Sequence, residues 1–406
     1  MWLGASHKNT AKPLGIAWPV NSIPALGIYF SYNDEIVYNK SFEQKLNKMK
    51  SLLNLWYPRN LTLYGRITIL KSLVISKLVY NTSVLRTFPT KFTAMVNQAI
   101  TQFVWNKKAN IKHRTMIGPK ELGGLDVPDF QIINDALKAV SVRRLSDSNG
   151  TASWSHIPLS YLQPVGGLFL LQCNFDLKLL KVDILIDFYK EALCAWQKIN
   201  SNTPITKKQV LNGIVWNNKE RISLDKLSCR SATKFFVKSK FVTPTAERRM
   251  TEAGLKEHTI PLIYSLPFNV TKDTRLAIFQ YKIIHHILPT NSTLFRDSIK
   301  EHDKCHLCGE RQTLIHLFVT CSKARLFWSL FSNWWNSKNG DSITIDKNEI
   351  IYGVTDNFAR YLGLNLCMII AKYYLYSASR KEEEFYFDAF LASLTNKIKI
   401  EKHKSK

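Results

Sequence analysis

Apolar residues in the first quarter of the chain recur at alternating steps of four and three. The first stripe consists of Phe42, Leu46, Met49, Leu53 and Trp56. This spacing places all five side chains on one face of an amphipathic helix, which Pro58 then breaks. Two further stripes consist of Ile67, Leu70, Val74 and Leu78, and of Phe92, Val96, Ala99 and Phe103. The three stripes predict a helical bundle.

The rest of the chain has a mixed pattern over residues 151–270 and a helical one towards its end. It predicts a helix from Val182 to Ile199, a loop around Pro204, a polar linker from Ser337 to Asp346, and helices over the last sixty residues ending in a lysine tail. With 406 residues, of which 45% are hydrophobic, the chain can bury a sizeable core in about two to four domains. No apolar run reaches the roughly 18 residues that are needed to cross a bilayer, so we do not expect this chain to be an integral membrane protein.

The charge of the chain indicates which class of partner it binds. Lysine and arginine total 56 against 31 acids, a net charge of +25, which favours a polyanionic ligand. Residues 40–120 hold fifteen of these cations and one acid, Glu43, so the predicted bundle is basic. A basic loop follows it, made of Trp105, Lys107, Lys108, Lys112, His113 and Arg114. Cations interleaved with aromatics suit nucleic acid. A solvated surface is the alternative for any single lysine, and a basic membrane face for the whole set.

Four residues supply the clearest chemical signal. Cys305, Cys308, His316 and Cys321 stand in the spacing C-x2-C-x7-H-x4-C, which can close a tetrahedral zinc site. Four protein ligands leave no position for water, so we predict a structural zinc. His302 and His306 are rival ligands, but His306 should point away from a metal that the two flanking cysteines share. The alternative is that the cysteines are buried apolar residues.

The other four cysteines are Cys173, Cys194, Cys229 and Cys367, scattered among apolar neighbours. No secretory signal opens the chain. We therefore expect free thiols in a reducing compartment.

Several short sequence motifs occur along the chain in an order that indicates a family. They are Met1-Trp2-Leu3-Gly4, Ile23 to Ile28, Leu61 to Ile67 with Lys71-Ser72-Leu73 and Lys77 to Tyr80, Phe103 to Asn106, Gly123-Gly124-Leu125, Phe279 to Asn291, Phe327-Trp328 and Ile370 to Tyr376. Together with the zinc spacing, this order resembles the polyprotein of non-LTR, LINE-type retrotransposons, in the part that follows its reverse transcriptase active site. The resemblance covers nearly the whole chain.

The resemblance implies a mainly α, multidomain fold. Its segments would be 1–38, a short β remnant of the polymerase palm; 39–150, a basic helical thumb; 151–270, a middle region of unknown role; 271–335, the zinc-binding region; and 336–406, C-terminal helices with a basic tail. The implied partners are element RNA and a primer-template duplex, with no membrane and no small-molecule substrate. The implied location is an intracellular ribonucleoprotein of cytoplasm and nucleus.

Ten cations are the predicted nucleic-acid contacts. In the bundle and its loop they are Arg66, Lys71, Lys77, Lys107, Lys108, Lys112 and Arg114, and around the zinc they are Lys304, Lys323 and Arg325. Lysine meets RNA and DNA phosphates alike, so charge leaves the preferred nucleic acid open. Phe318, Phe327 and Trp328 are available to pack in a core or to stack on bases.

We predict no catalytic residue in this chain. Polymerisation needs carboxylates that hold two metal ions, and the sequence contains no adjacent Asp-Asp pair. The family's aspartates would lie upstream, so only a parent protein would be an RNA-directed DNA polymerase. Asp126 and Asp129 lie in a turn, where carboxylates cap backbone amides. His285 and His286 are adjacent on a helix and point about 100 degrees apart.

Two other interpretations stay open. One is a zinc-dependent protein-interaction module kept by a host, with contacts around Trp328, Trp334 and Trp335. The other is a relic of a truncated element without function, which exposed palm strands would favour.

Overall fold

The computed structural model describes residues 21–86, 90–106, 110–147, 153–172, 177–200, 214–216, 220–222, 227–340 and 342–404. These residues form helices joined by short loops, with two small two-stranded antiparallel sheets. The mainly α fold predicted from the sequence is confirmed. No helix in this described part combines the length and the apolar character that crossing a membrane requires.

Contacts divide the chain into two units. Unit 1 contains residues 1–60, 66–109 and 128–241, and unit 2 contains residues 61–65, 110–127 and 242–406. This division is coarser than the five segments implied by the resemblance, whose boundaries stay predictions.

Unit 1 is built from the three predicted stripes and the helices that follow them. Its α-helices span Asp34–Tyr38, Gln44–Trp56, Ser76–Val84, Thr90–Trp105, Phe130–Asp147, His156–Leu162, Gly167–Gln172, Asp187–Asn200 and Cys229–Lys240, while Leu63–Ile69 runs from unit 2 into unit 1. π-helical turns at Asn39–Glu43 and Leu70–Val74 join neighbouring helices. The stripe residues Phe42, Met49, Leu70, Val74, Phe92 and Val96 are fully buried, which confirms the predicted apolar faces.

The segment expected to end a palm contains a hairpin. Strands Ile23–Ala25 and Ile28–Phe30 pair antiparallel, and Leu26 and Gly27 turn the chain with positive φ of 51° and 77°. A two-residue hairpin turn of type I′ needs positive φ at both central positions, which glycine adopts without strain. The hydroxyl of Tyr80 donates to the Leu26 carbonyl at 2.8 Å, so the hairpin is held by the bundle.

The helix expected from Val182 to Ile199 begins later than predicted. Val182–Ile184 forms a single 3-10 turn, and the α-helix spans Asp187–Asn200. The side chain of Asp187 accepts hydrogen bonds from Arg86 and from Lys190. An acidic residue in the first turn stabilises a helix start, and this one is anchored there. The loop predicted around Pro204 lies outside the described residues.

Unit 2 is helical around one large core. Its α-helices span His113–Met116, Thr245–Glu252, Ile260–Val270, Thr274–Ile284, Asn291–Arg296, Ser322–Asn339, Lys347–Tyr352, Leu362–Lys381 and Phe387–Lys404. One buried cluster runs from Ala246 to Leu394 and includes Phe318, Phe331 and Phe390. The predicted linker from Ser337 begins three residues inside the Ser322–Asn339 helix, which Gly340 ends at φ 67°.

Candidate metal centre

A short hairpin carries the first two cysteines. The amide of Cys305 donates to the Glu310 carbonyl at 2.7 Å, and the amide of Gly309 donates to the Cys305 carbonyl at 2.9 Å. Gly309 adopts φ 76°, a conformation that favours glycine. The turn returns the chain so tightly that the Cys305 and Cys308 side chains point into the same space.

A π-helical turn supplies the other two side chains. It spans His316–Thr320, and the amide of Cys321 donates to the His316 carbonyl at 3.0 Å. The wider π-helical turn therefore brings His316 and Cys321 back beside each other. The long Ser322–Asn339 helix starts directly afterwards, so the cluster is anchored to the core.

The four side chains converge as their spacing predicts. One ligand atom from each of Cys305, Cys308, His316 and Cys321 lies within 4.8 Å of the others. The Cys308 Sγ and His316 Nε2 atoms are 3.2 Å apart. Cys305, His316 and Cys321 are buried, whereas Cys308 is exposed. Three thiols and one imidazole at this separation fit a tetrahedral zinc ion.

The electrostatics of the cluster favour thiolate at Cys305, while its neighbour Cys321, which shares the hydrogen bond, has a raised pKa. The hydrogen bond from Cys321 lowers the pKa of the Cys305 thiol far below its ordinary value. Further hydrogen bonds from the Leu307 and Cys308 backbones and from His316 act in the same direction. Because zinc binds thiolate and not thiol, the hairpin prepares one sulfur for the metal.

Glu310 orients the histidine and was not foreseen from the sequence. Its Oε2 atom lies 3.2 Å from His316 Nδ1, which leaves Nε2 facing the three sulfurs. A carboxylate on the second ring nitrogen fixes the tautomer of a metal-bound histidine and raises its basicity. The acid stands two residues after Cys308, and no spacing rule would have selected it.

The two rival histidines are directed elsewhere. His306 Nε2 lies 2.9 Å from the carbonyl oxygen of Glu383, which matches the expectation that it points away from the metal. His302 is exposed on the surface. Neither belongs to the converging cluster in the described residues.

The region around the metal centre also contacts the end of the Leu362–Lys381 helix. Cys305, Cys321 and Ala324 form a small buried cluster with Leu307 and Phe385 packed against it. Gln312 Nε2 donates to the Ser379 hydroxyl at 3.0 Å, and Lys300 pairs with Glu382 at 3.1 Å. These contacts fix the turn between the helices Leu362–Lys381 and Phe387–Lys404.

The remaining cysteines take no part in the cluster. Cys194, Cys229 and Cys367 are free thiols, and Cys173 lies outside the described residues. Burial raises the pKa of Cys367 to about 12, so this thiol is chemically inert.

The predicted cations separate into three groups. Lys304, Lys323 and Arg325 surround the metal centre and are exposed, and Lys71, Lys77, Lys112 and Arg114 are also exposed. Lys107 and Lys108 lie outside the described residues. Arg66 requires a correction: it is 8% exposed, and its Nη1 donates to the Phe103 carbonyl at 2.7 Å. The Arg66 guanidinium also faces the rings of Tyr57 and Phe103, so it is a packing residue and not a phosphate contact.

The aromatics near the cluster are core residues. Phe318, Phe327 and Trp328 are buried, and Trp328 Nε1 donates to the Phe318 carbonyl at 2.7 Å. Their surfaces are covered by unit 2, so neither base stacking nor a protein contact centred on Trp328 is supported. Trp334 and Trp335 are half-buried.

The other residues considered for catalysis have structural contacts. Asp129 Oδ1 accepts from the Ile132 amide at 2.9 Å and caps the Phe130–Asp147 helix. His285 is buried between the rings of Tyr264 and Tyr281, and this burial lowers its pKa to about 3. His286 Nε2 lies 3.2 Å from the Tyr352 hydroxyl.

Comparison with known families agrees with this geometry. A family model described as zinc-binding in reverse transcriptase matches residues 250–328, a range that contains all four converging side chains. The chain therefore carries the zinc-binding region associated with reverse transcriptases, and it is related to them through this region. The donor set fits a zinc ion that all four side chains hold, with no position left for a reacting water.

Proposed function

We propose that this chain is the nucleic-acid-binding, carboxyl-terminal part of a non-LTR, LINE-type reverse transcriptase. In this proposal the basic bundle of residues 39–150 acts as the thumb, and the zinc-binding region holds a second surface for RNA and a primer-template duplex. The observation that carries the proposal is one short segment that combines the Cys3His cluster, the family match and exposed cations.

The exposed cations support backbone contacts. Lys71 and Lys77 are exposed on the surface of the bundle and are adjacent in sequence to the buried Leu70 and Leu78. Lysine on such a surface can neutralise phosphates and release counterions without reading sequence. Such contacts would position a duplex, and its sequence would be set elsewhere.

The zinc-binding region supports a rigid second contact. Lys323 and Arg325 lie in the first turn of the Ser322–Asn339 helix, directly after the ligand Cys321. Lys304 directly precedes the ligand Cys305, and its strand bridges to Arg311. Because the metal would hold the hairpin next to Lys304 and the start of the helix that carries Lys323 and Arg325, these cations would be held in place before binding.

Polymerisation would belong to a longer parent protein. The sequence has no adjacent aspartate pair for two metal ions, so we propose that this chain alone binds nucleic acid without extending a primer. An intracellular ribonucleoprotein of cytoplasm and nucleus is the corresponding location.

Salt-titrated binding of the purified chain tests the proposal. Fluorescence anisotropy would follow labelled single-stranded RNA and a labelled primed duplex, with zinc quantified in the same sample. We expect one zinc per chain and an affinity that falls steeply with salt, with a slope of about 0.7 to 0.9 for each phosphate contact.

Other results would favour the rival interpretations. A chain with one zinc that binds neither oligonucleotide would contradict nucleic-acid handling and favour a protein-interaction module. The exposed Leu326 and Leu330, 61% and 42% accessible on the helix that follows the ligands, would then be the first contacts to examine. An aggregated, metal-poor product would favour a relic.

A further inference from the structure

A small cavity in unit 2 lies outside every predicted site. It encloses about 190 Å³, and its lining includes Tyr64, Lys120, Phe268, Lys272 and Thr274. These residues come from three separate parts of the sequence, 61–65, 110–127 and 242–406, all of which belong to unit 2. The fold thus gathers two lysines, two aromatic rings and hydroxyl groups around one space.

Lys120 is held in place within this cavity. Its Nζ donates to the Tyr64 hydroxyl at 3.2 Å. The same ammonium lies 4.4 Å from the centre of the Tyr64 ring and 4.7 Å from the centre of the Phe268 ring. Cation–π contacts on two rings attract the charge and restrict the side chain. A lysine ordered in this way loses less entropy on binding a ligand than a mobile surface lysine does.

Two acids, Glu401 and Asp273, lie beside the cavity and make their contacts with other groups than its lysine ammoniums. In the described part of the chain, neither Lys120 nor Lys272 has an ion pair with a carboxylate within 4.0 Å. Glu401 instead accepts from the Thr271 hydroxyl and from the Lys272 and Asp273 amides. Asp273 accepts from the Arg275 amide at 2.9 Å and lies 3.8 Å from Lys397. Both acids are therefore satisfied by other groups.

Hydroxyl groups complete the donor set. Thr62 Oγ1 and Thr274 Oγ1 lie 3.3 Å apart, and Thr274 is exposed at the cavity. An ammonium has three N–H donors, and the described contacts of Lys120 include one acceptor, the Tyr64 oxygen. A ligand with several oxygens and a negative charge would satisfy the remaining donors.

We propose that this cavity binds a phosphate group, with Lys120, Lys272, Tyr64 and Thr274 as its donors. The inference deepens the proposed function, because it rests on nucleic-acid binding and names a contact that the charge pattern of residues 40–120 did not single out. The phosphate belongs either to a nucleic-acid strand or to a free nucleotide, and both present the same oxygens to the two lysines.

Substitutions within the full chain test the site. Lys120→Gln removes the ordered charge, and Lys272→Gln removes an exposed charge with little risk to folding. Lys256→Gln is the matched control, because Lys256 is an exposed lysine of the same unit that does not line the cavity. Tyr64→Phe removes the hydroxyl and keeps the ring under Lys120.

The readout is salt-titrated binding of a labelled single-stranded oligonucleotide. We expect Lys120→Gln to weaken binding about tenfold, as loss of a charge-assisted hydrogen bond predicts, and to lower the salt slope by about one unit. Lys272→Gln should lower the slope similarly, Tyr64→Phe should weaken binding less, and Lys256→Gln should do neither. Melting curves would show whether each variant is folded.

The outcomes separate this inference from the proposed function. If wild-type protein binds the oligonucleotide steeply but Lys120→Gln and Lys272→Gln behave like Lys256→Gln, both with the oligonucleotide and with a labelled nucleoside triphosphate, the cavity site is wrong and nucleic-acid binding stands. If wild-type protein binds no oligonucleotide, both proposals fail. Direct titration with a labelled nucleoside triphosphate identifies the source of the phosphate. Losses of oligonucleotide affinity at Lys120 and Lys272 indicate a strand, whereas triphosphate binding that Lys120→Gln weakens, with oligonucleotide binding unchanged, indicates a free nucleotide.

Discussion

Single side chains decide whether the metal centre forms. The spacing of the cysteines and the histidine was sufficient to predict which four residues converge, because a two-residue gap brings both sulfurs onto one metal. The orientation of the histidine was not predictable, since it depends on Glu310, which contacts Nδ1 only after the hairpin closes. Arg66 shows the same limit, because sequence marks it as a cation and only packing shows its burial.

Loss of one thiolate should release the metal. We expect Cys308→Ser to reduce bound zinc well below one ion per chain and to unfold residues 300–330, because structural zinc contributes about 10 to 16 kcal/mol in small zinc-binding peptides. Cys308 is the suitable choice because it is exposed, so a hydroxyl there adds no buried polar group. Elemental analysis and hydrogen exchange of residues 300–330 would measure both effects.

A cysteine outside the cluster provides the control. Cys194→Ser in unit 1 should leave the zinc content and the exchange of residues 300–330 unchanged, since Cys194 is a free thiol distant in sequence from the hairpin. Zinc and exchange protection that survive Cys308→Ser would show that the metal does not hold this region together.

At the scale of elements, hydrophobic periodicity predicted helices well and their ends poorly. The stripes of the bundle were sufficient because each buries three or more side chains on one face. The start of the helix at Asp187 was not predicted because Val182 and Leu185 continue the apolar pattern on its N-terminal side. The helix begins at Asp187, whose carboxylate is ion-paired with Arg86, a residue distant in sequence. Helix ends are fixed by single contacts that periodicity does not contain.

Buried side chains also close the Lys347–Tyr352 helix. The Lys372 ammonium donates to the Ile350 carbonyl at 2.7 Å, and Gln280 Nε2 donates to the Ile351 carbonyl at 2.9 Å. These bonds satisfy carbonyls that have no partner within the helix. Lys372 is 1% exposed, and this burial lowers its pKa from 10.5 to about 7.

The buried lysine predicts a defined pH dependence. Between pH 7 and 10.5 the unfolded chain binds the Lys372 proton more tightly than the folded chain, so the free energy of unfolding should rise with pH. From pH 7 to pH 9 we expect a gain of about 2 kcal/mol from this group, and Lys372→Met should lack it. Urea unfolding of both proteins across this window measures the difference.

The pH window ends at 9 because Cys367 changes the stability in the opposite direction at higher pH. Burial raises the pKa of Cys367 from 9.0 to about 12, so ionisation of this thiol in the unfolded chain lowers the free energy of unfolding mainly above pH 9. A wild-type curve parallel to that of Lys372→Met between pH 7 and 9 would show that Lys372 is protonated in the folded protein.

At the scale of the whole molecule, charge is the property that the proposed function uses. Neutralising Lys71, Lys77, Lys107 and Lys108 together, each by substitution with glutamine, should flatten the salt dependence of nucleic-acid binding. Each lost phosphate contact lowers the slope by about one unit. Anisotropy titrations at several salt concentrations give the slopes.

A second quadruple variant keeps the change in net charge equal. Its substituted residues are the exposed Lys234, Lys238, Lys256 and Lys347, which lie outside the predicted contacts. If both quadruple variants lose the same slope, binding follows total charge and the bundle has no special surface.

The loop around Gly123 belongs to unit 2, although the chain on both sides of it belongs to unit 1. At φ 79° a side chain on Gly123 would meet Pro244 at 2.7 Å and Tyr264 at 2.8 Å, and the Tyr281 hydroxyl donates to its carbonyl at 3.1 Å. A gene segment that encodes only residues 242–406 would therefore lack residues that complete unit 2. Recombination between related genes can transfer unit 2 intact only when the coding sequence for residues 61–65 and 110–127 is transferred as well.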